Sequence, residues 1–297
     1  MQTVKLGGTV LDVKVSTLPE ISRDLTDRNR PSPFAFTGNK FEFRAVGAKQ
    51  SVSFPVTLLN SAVASAIIEV TAALRKQMGD KQFPSEADKL AVVKKYITET
   101  KAIRFEGDNY SDAWKQEAAK RGLLNITNCP DAFAQLMEPV NFNMLSGAPL
   151  HLFSKKELQS RHHILLEKYA KDLLIEANVL ASMLKSQIIP AAFEYRRSVA
   201  EGAAHLASCG ADAAPEVAAL KRITPVLLEV QKGVEQLEDA IKQTNAAHDD
   251  VDKHARAANS LLLPALNEVR KPVDLLETLV GDKYWPLPRY QELLFQI

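Results

Sequence analysis

The pattern of apolar and polar positions changes near residue 50 from an alternating period to a helical one. Residues 11–15 alternate between apolar and polar, which predicts a half-buried strand, and Gly7-Gly8 predicts a hairpin turn back toward Val4 and Leu6. Residues 18–39 hold three prolines and a polar run, so we predict a loop there. A second strand is predicted over residues 40–46.

From Pro55 onward, apolar residues recur every three or four positions, which is typical of amphipathic helices. The first predicted helix runs from Pro55 to a C-cap at Gly79 and should be largely buried through the stripe Leu59, Val63, Ala66, Val70 and Leu74. The second begins at Ser85 and runs to about Thr100, with Leu90, Val93 and Ile97 as its inner face. Short helices are predicted after Ser111 and Asn128, whereas residues 138–153 are predicted to be irregular.

The remaining sequence predicts three long helices. Ser154 and Glu157 form a capping box that starts a helix ending at Cys209-Gly210, with a kink expected at Pro190. Two more amphipathic stretches follow Pro215 and span about 249–280. Long helices with short connections pack as an antiparallel bundle, so we predict an α+β, mostly α, fold. The tail should dock through its aromatic residues Tyr284, Trp285, Tyr290 and Phe295.

Composition and charge exclude some classes of protein. The 297 residues carry a net charge of +1, which argues against a polybasic nucleic-acid protein or a binder of anionic membranes. Cys129 and Cys209 are too few for a disulfide framework or a thiolate zinc site, and they fit a reducing, cytoplasmic compartment. The start of the chain lacks the apolar core of a secretory signal, and no run of about 18 apolar residues predicts a membrane span.

The strand over residues 40–46 carries the most unusual chemistry. Alternation places Lys40, Glu42 and Arg44 on one face, opposite a face that begins with Phe41 and Phe43. A sheet with one solvated face explains this pattern. Alternatively, the sheet lines a polar cavity in which the carboxylate holds a metal and the cations hold anionic substrate groups.

Other candidate groups give weaker signals. Arg28 and Arg30, on the preceding loop, are either solvated or bind phosphate through their guanidinium groups. Cys129 precedes a short helix that can lower the pKa of its thiol, but a structural role is favoured because no base partner is placed beside it. The histidines show no zinc spacing and are predicted on the surface or on helix faces, at positions 151, 162, 163, 205, 248 and 254.

Four segments resemble the type III form of glutamine synthetase. They are residues 27–47 (DRNRPSPFAFTGNKFEFRAVG), 104–123 (RFEGDNYSDAWKQEAAKRGL), 160–167 and 285–290 (WPLPRY). The resemblance covers nearly the whole chain and is weakest in residues 1–15. It implies that residues 1–80 are a C-terminal remnant of the catalytic domain, 81–153 hold short helices and loops, and 154–297 form a long-helix bundle and tail.

The resemblance also implies the roles of particular residues. Glu42 would bind an active-site Mg or Mn ion, Arg44 would hold the substrate glutamate, and Arg30 would face the transferring phosphoryl group of ATP. Lys40 stands where other classes of the family carry an ATP-phosphate-binding arginine, and Ala35 stands where they carry another. The implied reaction ligates ammonia to glutamate through γ-glutamyl phosphate, in a large, ring-shaped homo-oligomer.

The same resemblance implies that the other metal ligands and the ATP-binding loops precede Met1. A single glutamate cannot hold hard divalent cations, which need six or more oxygen ligands, so we expect this chain alone to be inactive. The alternative is a non-catalytic interaction or regulatory protein in which the amphipathic stripes bind a partner and the charged strand is vestigial. A membrane-associated scaffold is disfavoured because no helix face is polybasic.

Overall fold

The computed structural model describes residues 10–11, 21–22, 34–36, 41–43, 50–104 and 111–294. These fall into two compact units, the first ending at Asn125 and the second beginning at Ile126. The three-part division at residues 80 and 153 stays a prediction.

The first unit contains two short antiparallel strand pairs. Strand β1 (Val10–Leu11) pairs with β2 (Ile21–Ser22), and β3 (Phe34–Phe36) pairs with β4 (Phe41–Phe43). The prediction of a loop over residues 18–39 is therefore wrong at β2 and β3. The prolines of this segment precede the strands and do not interrupt them. Proline at such positions is compatible with the hydrogen bonds that pair two strands. The predicted turn at Gly7-Gly8 and the ends of the strand over 40–46 lie outside the described residues.

Three α-helices follow in the first unit: α1 (Ser53–Met78), α2 (Glu86–Glu99) and α3 (Asp112–Lys120), with a 3-10 turn at Thr100–Ile103 after α2. The ends of α1 and α2 confirm the predicted C-cap and N-cap residues. Gly79 follows α1 with a φ of +58°, where glycine is favoured. The Ser85 hydroxyl accepts from the Asp88 amide and the Asp88 carboxylate accepts from the Ser85 amide, which completes a capping box at α2.

The predicted burial of α1 and α2 is wrong. Of the predicted α1 stripe, Val63, Ala66 and Val70 are exposed, while Leu59 and Leu74 are only half-buried. The predicted inner face of α2 is exposed as well. The buried residues are Ser61 of α1, and Asp88 and Val92 of α2. Periodicity identifies an apolar face, but which face is covered depends on the neighbour that packs there. By length and composition, helix α1 is also apolar enough to cross a membrane. This finding corrects the expectation that no segment of the chain is long and apolar enough to do so.

The second unit begins with two short helices, α4 (Cys129–Ala134) and α5 (Pro139–Ser146), separated by a 3-10 turn at Gln135–Met137. Asn128 caps α4 as predicted, since its side chain accepts from the Asp131 amide at 2.9 Å. Helix α5 overturns the prediction of irregular structure over 138–153. Pro139 is the first residue of α5. Proline is favoured at this position because the N–H that it lacks would have no hydrogen-bond partner within the helix.

Helices, most of them long, form the rest of the described second unit. They are α6 (Lys155–Met183), α7 (Ile189–Ser208), α8 (Ala214–Asn245), α9 (Val251–Ala257) and α10 (Leu263–Leu279), and α11 (Tyr290–Leu294) closes the described chain. The capping box of Ser154 and Glu157 and the end of α7 before Gly210, whose φ is +74°, are confirmed. The mostly helical fold class is confirmed.

Two π-helical turns interrupt these long helices, at Leu184–Ile188 and at Ala258–Leu262. Each ends two residues before a proline, Pro190 in α7 and Pro264 in α10. Proline lacks an N–H and clashes with the carbonyl four residues earlier, and a wider turn with one additional residue relieves that conflict. The interruption predicted at Pro190 thus takes the form of a π turn.

Helix α8 lies at the centre of the core. Its residues Ile223, Leu227, Val230 and Leu237 are fully buried against side chains of α6, α7, α10 and the π turns. The tail packs on the same core: Trp285 is buried, and the ring of Tyr284 lies 5.4 Å from that of Tyr195. The predicted docking of the tail is confirmed for these two aromatic residues. The side chain of Tyr290 and all of Phe295 lie outside the described residues.

Candidate functional site

Glu42 lies at the centre of strand β4, in the hairpin formed with β3. The register pairs Glu42 with Ala35, Phe41 with Phe36, and Phe43 with Phe34. Glu42 is half-buried, whereas Phe41 is exposed. The side chain of Glu42 thus lies on the strand face opposite Phe41 and Phe43, because successive residues of a strand point to opposite sides.

The structure places only part of the predicted site. Arg30, Lys40 and Arg44 lie outside the described residues, so their grouping around Glu42 stays a prediction. Ala35, which stands where related classes are expected to carry an arginine, is the direct cross-strand neighbour of Glu42.

The described residues do not complete a divalent metal site. Within them, no three His, Cys, Asp or Glu side chains are grouped so that they could share an ion. A carboxylate such as that of Glu42 is a suitable hard ligand, but Mg²⁺ and Mn²⁺ take further oxygen ligands. Glu42 could therefore contribute one ligand of a site whose other ligands come from elsewhere.

A second polar region of the first unit follows the C-terminus of α2. A hollow of about 750 Å³ there is lined by Thr98, Glu99, Lys101, Ala102, Arg104 and Arg121. Arg121 already uses its guanidinium to hold the chain: it donates to the carbonyls of Ala102 and Arg104, at 3.3 and 2.9 Å, and to Glu117 at 2.7 Å. Its guanidinium also lies 5.4 Å from the Trp114 ring. These contacts give Arg121 a structural role within the segment 104–123 that carries the resemblance.

Two histidines of the second unit lie on helices, as predicted, but are partly or wholly removed from the surface. His254 of α9 is buried, and its Nε2 has no hydrogen-bond partner. His162 of α6 is half-buried, and its Nε2 is also without a partner. Burial lowers the pKa of both imidazoles. Helix α9 packs on α6. The burial of both histidines depends on that packing, so no sequence motif marks either residue.

The cysteines show no sign of a nucleophile. Cys129 and Cys209 are unpaired thiols. Partial removal from water raises the pKa of the Cys129 thiol, opposite to the lowering that a helix N-terminus can produce. This raised pKa favours a structural role for Cys129.

Comparisons with known proteins relate this chain to one family of ligases. Residues 89–207 match the family model described as glutamine synthetase C-terminal domain. The chain is 36% identical over 304 aligned positions to the type-3 glutamine synthetase of Dictyostelium discoideum, and 35% identical over 293 to the glutamine synthetase of Bacteroides fragilis. Each alignment covers 97% of this chain and 40% of the relative. A glutamine synthetase of Butyrivibrio fibrisolvens is 30% identical, over 93% of this chain and 39% of its own length.

The chain is therefore similar to glutamine synthetases over nearly all of its length, and its residues 89–207 match the model of their C-terminal domain. The resemblance to the type III form is confirmed. The chain spans about 40% of the length of these curated relatives.

Proposed function

We propose that this chain supplies one wall of the active site of a type III glutamine synthetase. That enzyme would ligate ammonia to glutamate with ATP as co-substrate. The observation that carries the proposal is the position of Glu42, half-buried at the centre of a hairpin strand within a chain that aligns over 97% of its length with such enzymes.

The proposed chemistry has two steps. The glutamate side-chain carboxylate attacks the terminal phosphorus of ATP, which gives γ-glutamyl phosphate and ADP. Ammonia then attacks the acyl carbon, a proton is lost from nitrogen, and phosphate leaves with the C–O bond electrons. A bound Mg or Mn ion would neutralise phosphate charge in the first step.

The residues of this chain would bind and orient charged groups. The Glu42 carboxylate would be one metal ligand, and Arg44 would pair with a carboxylate of the substrate glutamate. Arg30 would donate to the oxygens of the transferring phosphoryl group, where negative charge accumulates in the transition state. Lys40 would contact an ATP phosphate as a point charge, while Ala35, opposite Glu42, offers no such contact.

We further propose that this chain alone does not catalyse ligation. A single carboxylate such as that of Glu42 supplies too few of the six or more oxygen ligands that a hard divalent cation needs, which supports this proposal. We also propose that the active form is a ring-shaped homo-oligomer in the cytoplasm. Two unpaired cysteines suit a reducing compartment.

The test combines this chain with the part of the Bacteroides fragilis enzyme that has no counterpart in it, joined as one polypeptide. ATP-dependent conversion of glutamate and hydroxylamine to the γ-glutamyl hydroxamate measures acyl-phosphate formation. We expect activity from the joined protein and none from the 297-residue chain by itself. Activity of the chain by itself would overturn the proposed inactivity.

Two variants of the joined protein test the site. Glu42→Ala should abolish activity even at saturating Mg²⁺, because it removes a metal ligand. Glu229→Ala, which removes an exposed carboxylate of α8, is the matched control and should keep full activity. Near-normal turnover by Glu42→Ala would refute the metal role of Glu42.

A further inference from the structure

A hollow of about 550 Å³ lies in the groove between α7 and α8. Sites for small molecules in proteins have volumes in this range. We infer that the hollow binds a small organic anion, whose carboxylate or phosphate group contacts Arg196 and whose apolar part lies against the neighbouring side chains. The side chains that line the hollow are Phe193, Arg196, Arg197 and Ala200 of α7, and Leu220 and Thr224 of α8.

Arg196 carries this inference. Its side chain is half-buried, yet within the described residues its guanidinium donates to no carboxylate or carbonyl and contacts only the Phe193 ring, at 5.6 Å from the ring centre. The two other half-buried arginines of the described chain, Arg121 and Arg289, each donate to an acceptor 2.7 Å away. Arginine is rarely removed from water without a partner, so the exception at Arg196 indicates a partner from outside the chain.

The charges around the hollow favour an anion as that partner. Its lining contains no carboxylate. The charge of Arg197 is already engaged by two carboxylates of α7, at 2.7 and 2.9 Å. Lys221 lies next to Leu220 of the lining and, within the described residues, forms no ion pair. In the hollow between α6 and α8, by contrast, Lys185 is paired with a carboxylate at 2.6 Å. The α7–α8 hollow is therefore complementary to a negative group.

The other side chains of the lining suit the remainder of such a ligand. Phe193 is 41% exposed and, with Leu220 and Ala200, offers an apolar surface about as large as one aromatic ring. Within the described residues, the Thr224 hydroxyl has no hydrogen-bond partner and is available to donate to an anion. A mostly apolar lining with a few polar groups that orient the ligand is typical of small-molecule sites.

An acidic protein helix suits the groove less well than a small anion does. Glu194 and Glu201, the carboxylates that engage Arg197, are exposed on α7 and flank the hollow. A long acidic partner would lie against both of them, and like charges repel. An anion confined to the hollow would contact Arg196 without meeting either carboxylate.

The first experiment measures binding to the 297-residue chain by isothermal titration calorimetry at low ionic strength, where screening is weak. The probes are phenyl phosphate and phenylacetate, with inorganic phosphate and benzyl alcohol as controls that lack the ring or the charge. We expect one or both of the aromatic anions to bind roughly ten-fold or more tightly than either control. The tighter of the two identifies the ligand's charged group as phosphate or carboxylate.

Variants of the lining test the contacts. Arg196→Gln should weaken binding of the aromatic anion roughly ten-fold or more, because it removes a charged donor. Arg196→Lys should weaken it less, since lysine keeps the charge but loses the planar guanidinium. Thr224→Val should weaken it roughly three-fold. Arg222→Gln is the matched control, because it removes an exposed cation from another side of α8 and should bind as the unmodified chain does.

A variant that keeps every charge tests the hollow itself. Ala200→Trp places a large ring in the hollow at an exposed position, so it should abolish binding and leave the helix content unchanged by circular dichroism. Three results would overturn the inference: no binding of either aromatic anion by the unmodified chain, binding that is unchanged by both Arg196→Gln and Ala200→Trp, or equally tight binding of inorganic phosphate, which would indicate a surface charge without a site.

Discussion

Gly233 of α8 lies directly against Val269 of α10. A β-carbon added to Gly233 would lie 2.8 Å from Cγ2 and 3.2 Å from Cβ of Val269, well inside van der Waals contact. Val269 is almost completely buried, so its side chain has no solvent-filled space into which to move. The absence of a side chain at Gly233 therefore sets how closely the two helices approach at the centre of the bundle.

Gly233→Ala should destabilise the protein by about 1–3 kcal/mol, the usual cost of overpacking a filled core. This loss should occur although alanine is the better helix former by about 1 kcal/mol. Denaturant unfolding, followed by far-ultraviolet circular dichroism, measures the change. Gly202→Ala in α7 is the matched control, since nothing lies within 4 Å of an added β-carbon there. It should stabilise by about 0.4–1 kcal/mol. Equal stability of the two variants would contradict the close approach.

Leu237 and Leu228 occupy opposite sides of α8 and should respond differently to truncation. Leu237 is completely buried in the core, whereas Leu228 is 60% exposed. Leu237→Ala should cost about 2–5 kcal/mol, because it combines lost burial with a cavity. Leu228→Ala should change the free energy of unfolding by no more than about 0.5 kcal/mol. A comparable loss in both variants would show that α8 does not present the observed face to the core.

The buried imidazole of His254 should make the bundle less stable in mild acid. Burial lowers its pKa below the ordinary value of 6.5, so the unfolded chain binds a proton more readily than the folded one. The stabilisation is complete above pH 6.5 and is lost as the pH falls below that value toward the folded-state pKa. His162, whose pKa is also lowered by burial, acts in the same direction.

Melting temperatures between about pH 5 and pH 8 measure this effect. His254→Gln should reduce the decline below pH 6.5, because glutamine does not titrate. His205→Gln, at an exposed position of α7, is the control and should retain the full decline. An identical pH profile for His254→Gln and the unmodified protein would refute the assignment.

Asp88 should make the start of α2 sensitive to stronger acid. Hydrogen bonds from Ser85 and Lys81 lower the pKa of Asp88 to about 2, with the Lys81 amine 2.9 Å from the carboxylate. Its contribution is therefore present above the ordinary pKa of 3.8 and lost as the pH falls toward 2. Asp88→Asn should weaken α2 at neutral pH and remove the loss of helix stability that protonation of Asp88 causes in acid. The nuclear magnetic resonance shifts of the α2 amides, followed as a function of pH, measure this effect. Glu86→Gln removes a neighbouring exposed carboxylate and should leave the profile unchanged.

Local chemistry made the helix ends predictable. The hydroxyls of Ser85 and Ser154 satisfy amides only three residues away, and glycines at 79 and 210 adopt the positive φ that ends a helix. The strand position of Glu42 also follows from its immediate neighbours, because charged and aromatic residues alternate there. The resemblance to glutamine synthetases likewise rests on short stretches of sequence.

The sequence by itself thus determined where most helices begin and end, that the fold is mainly helical, and which family it resembles. The tertiary structure decided which sides of those helices are covered: it buries Val92 and leaves Val93 in solvent, and it places the glycine at 233 against Val269. It also paired Glu42 with Ala35 and removed His254 from water. The physical reason is that capping and periodicity act within about one helical turn, whereas burial and strand register depend on residues that are distant along the chain.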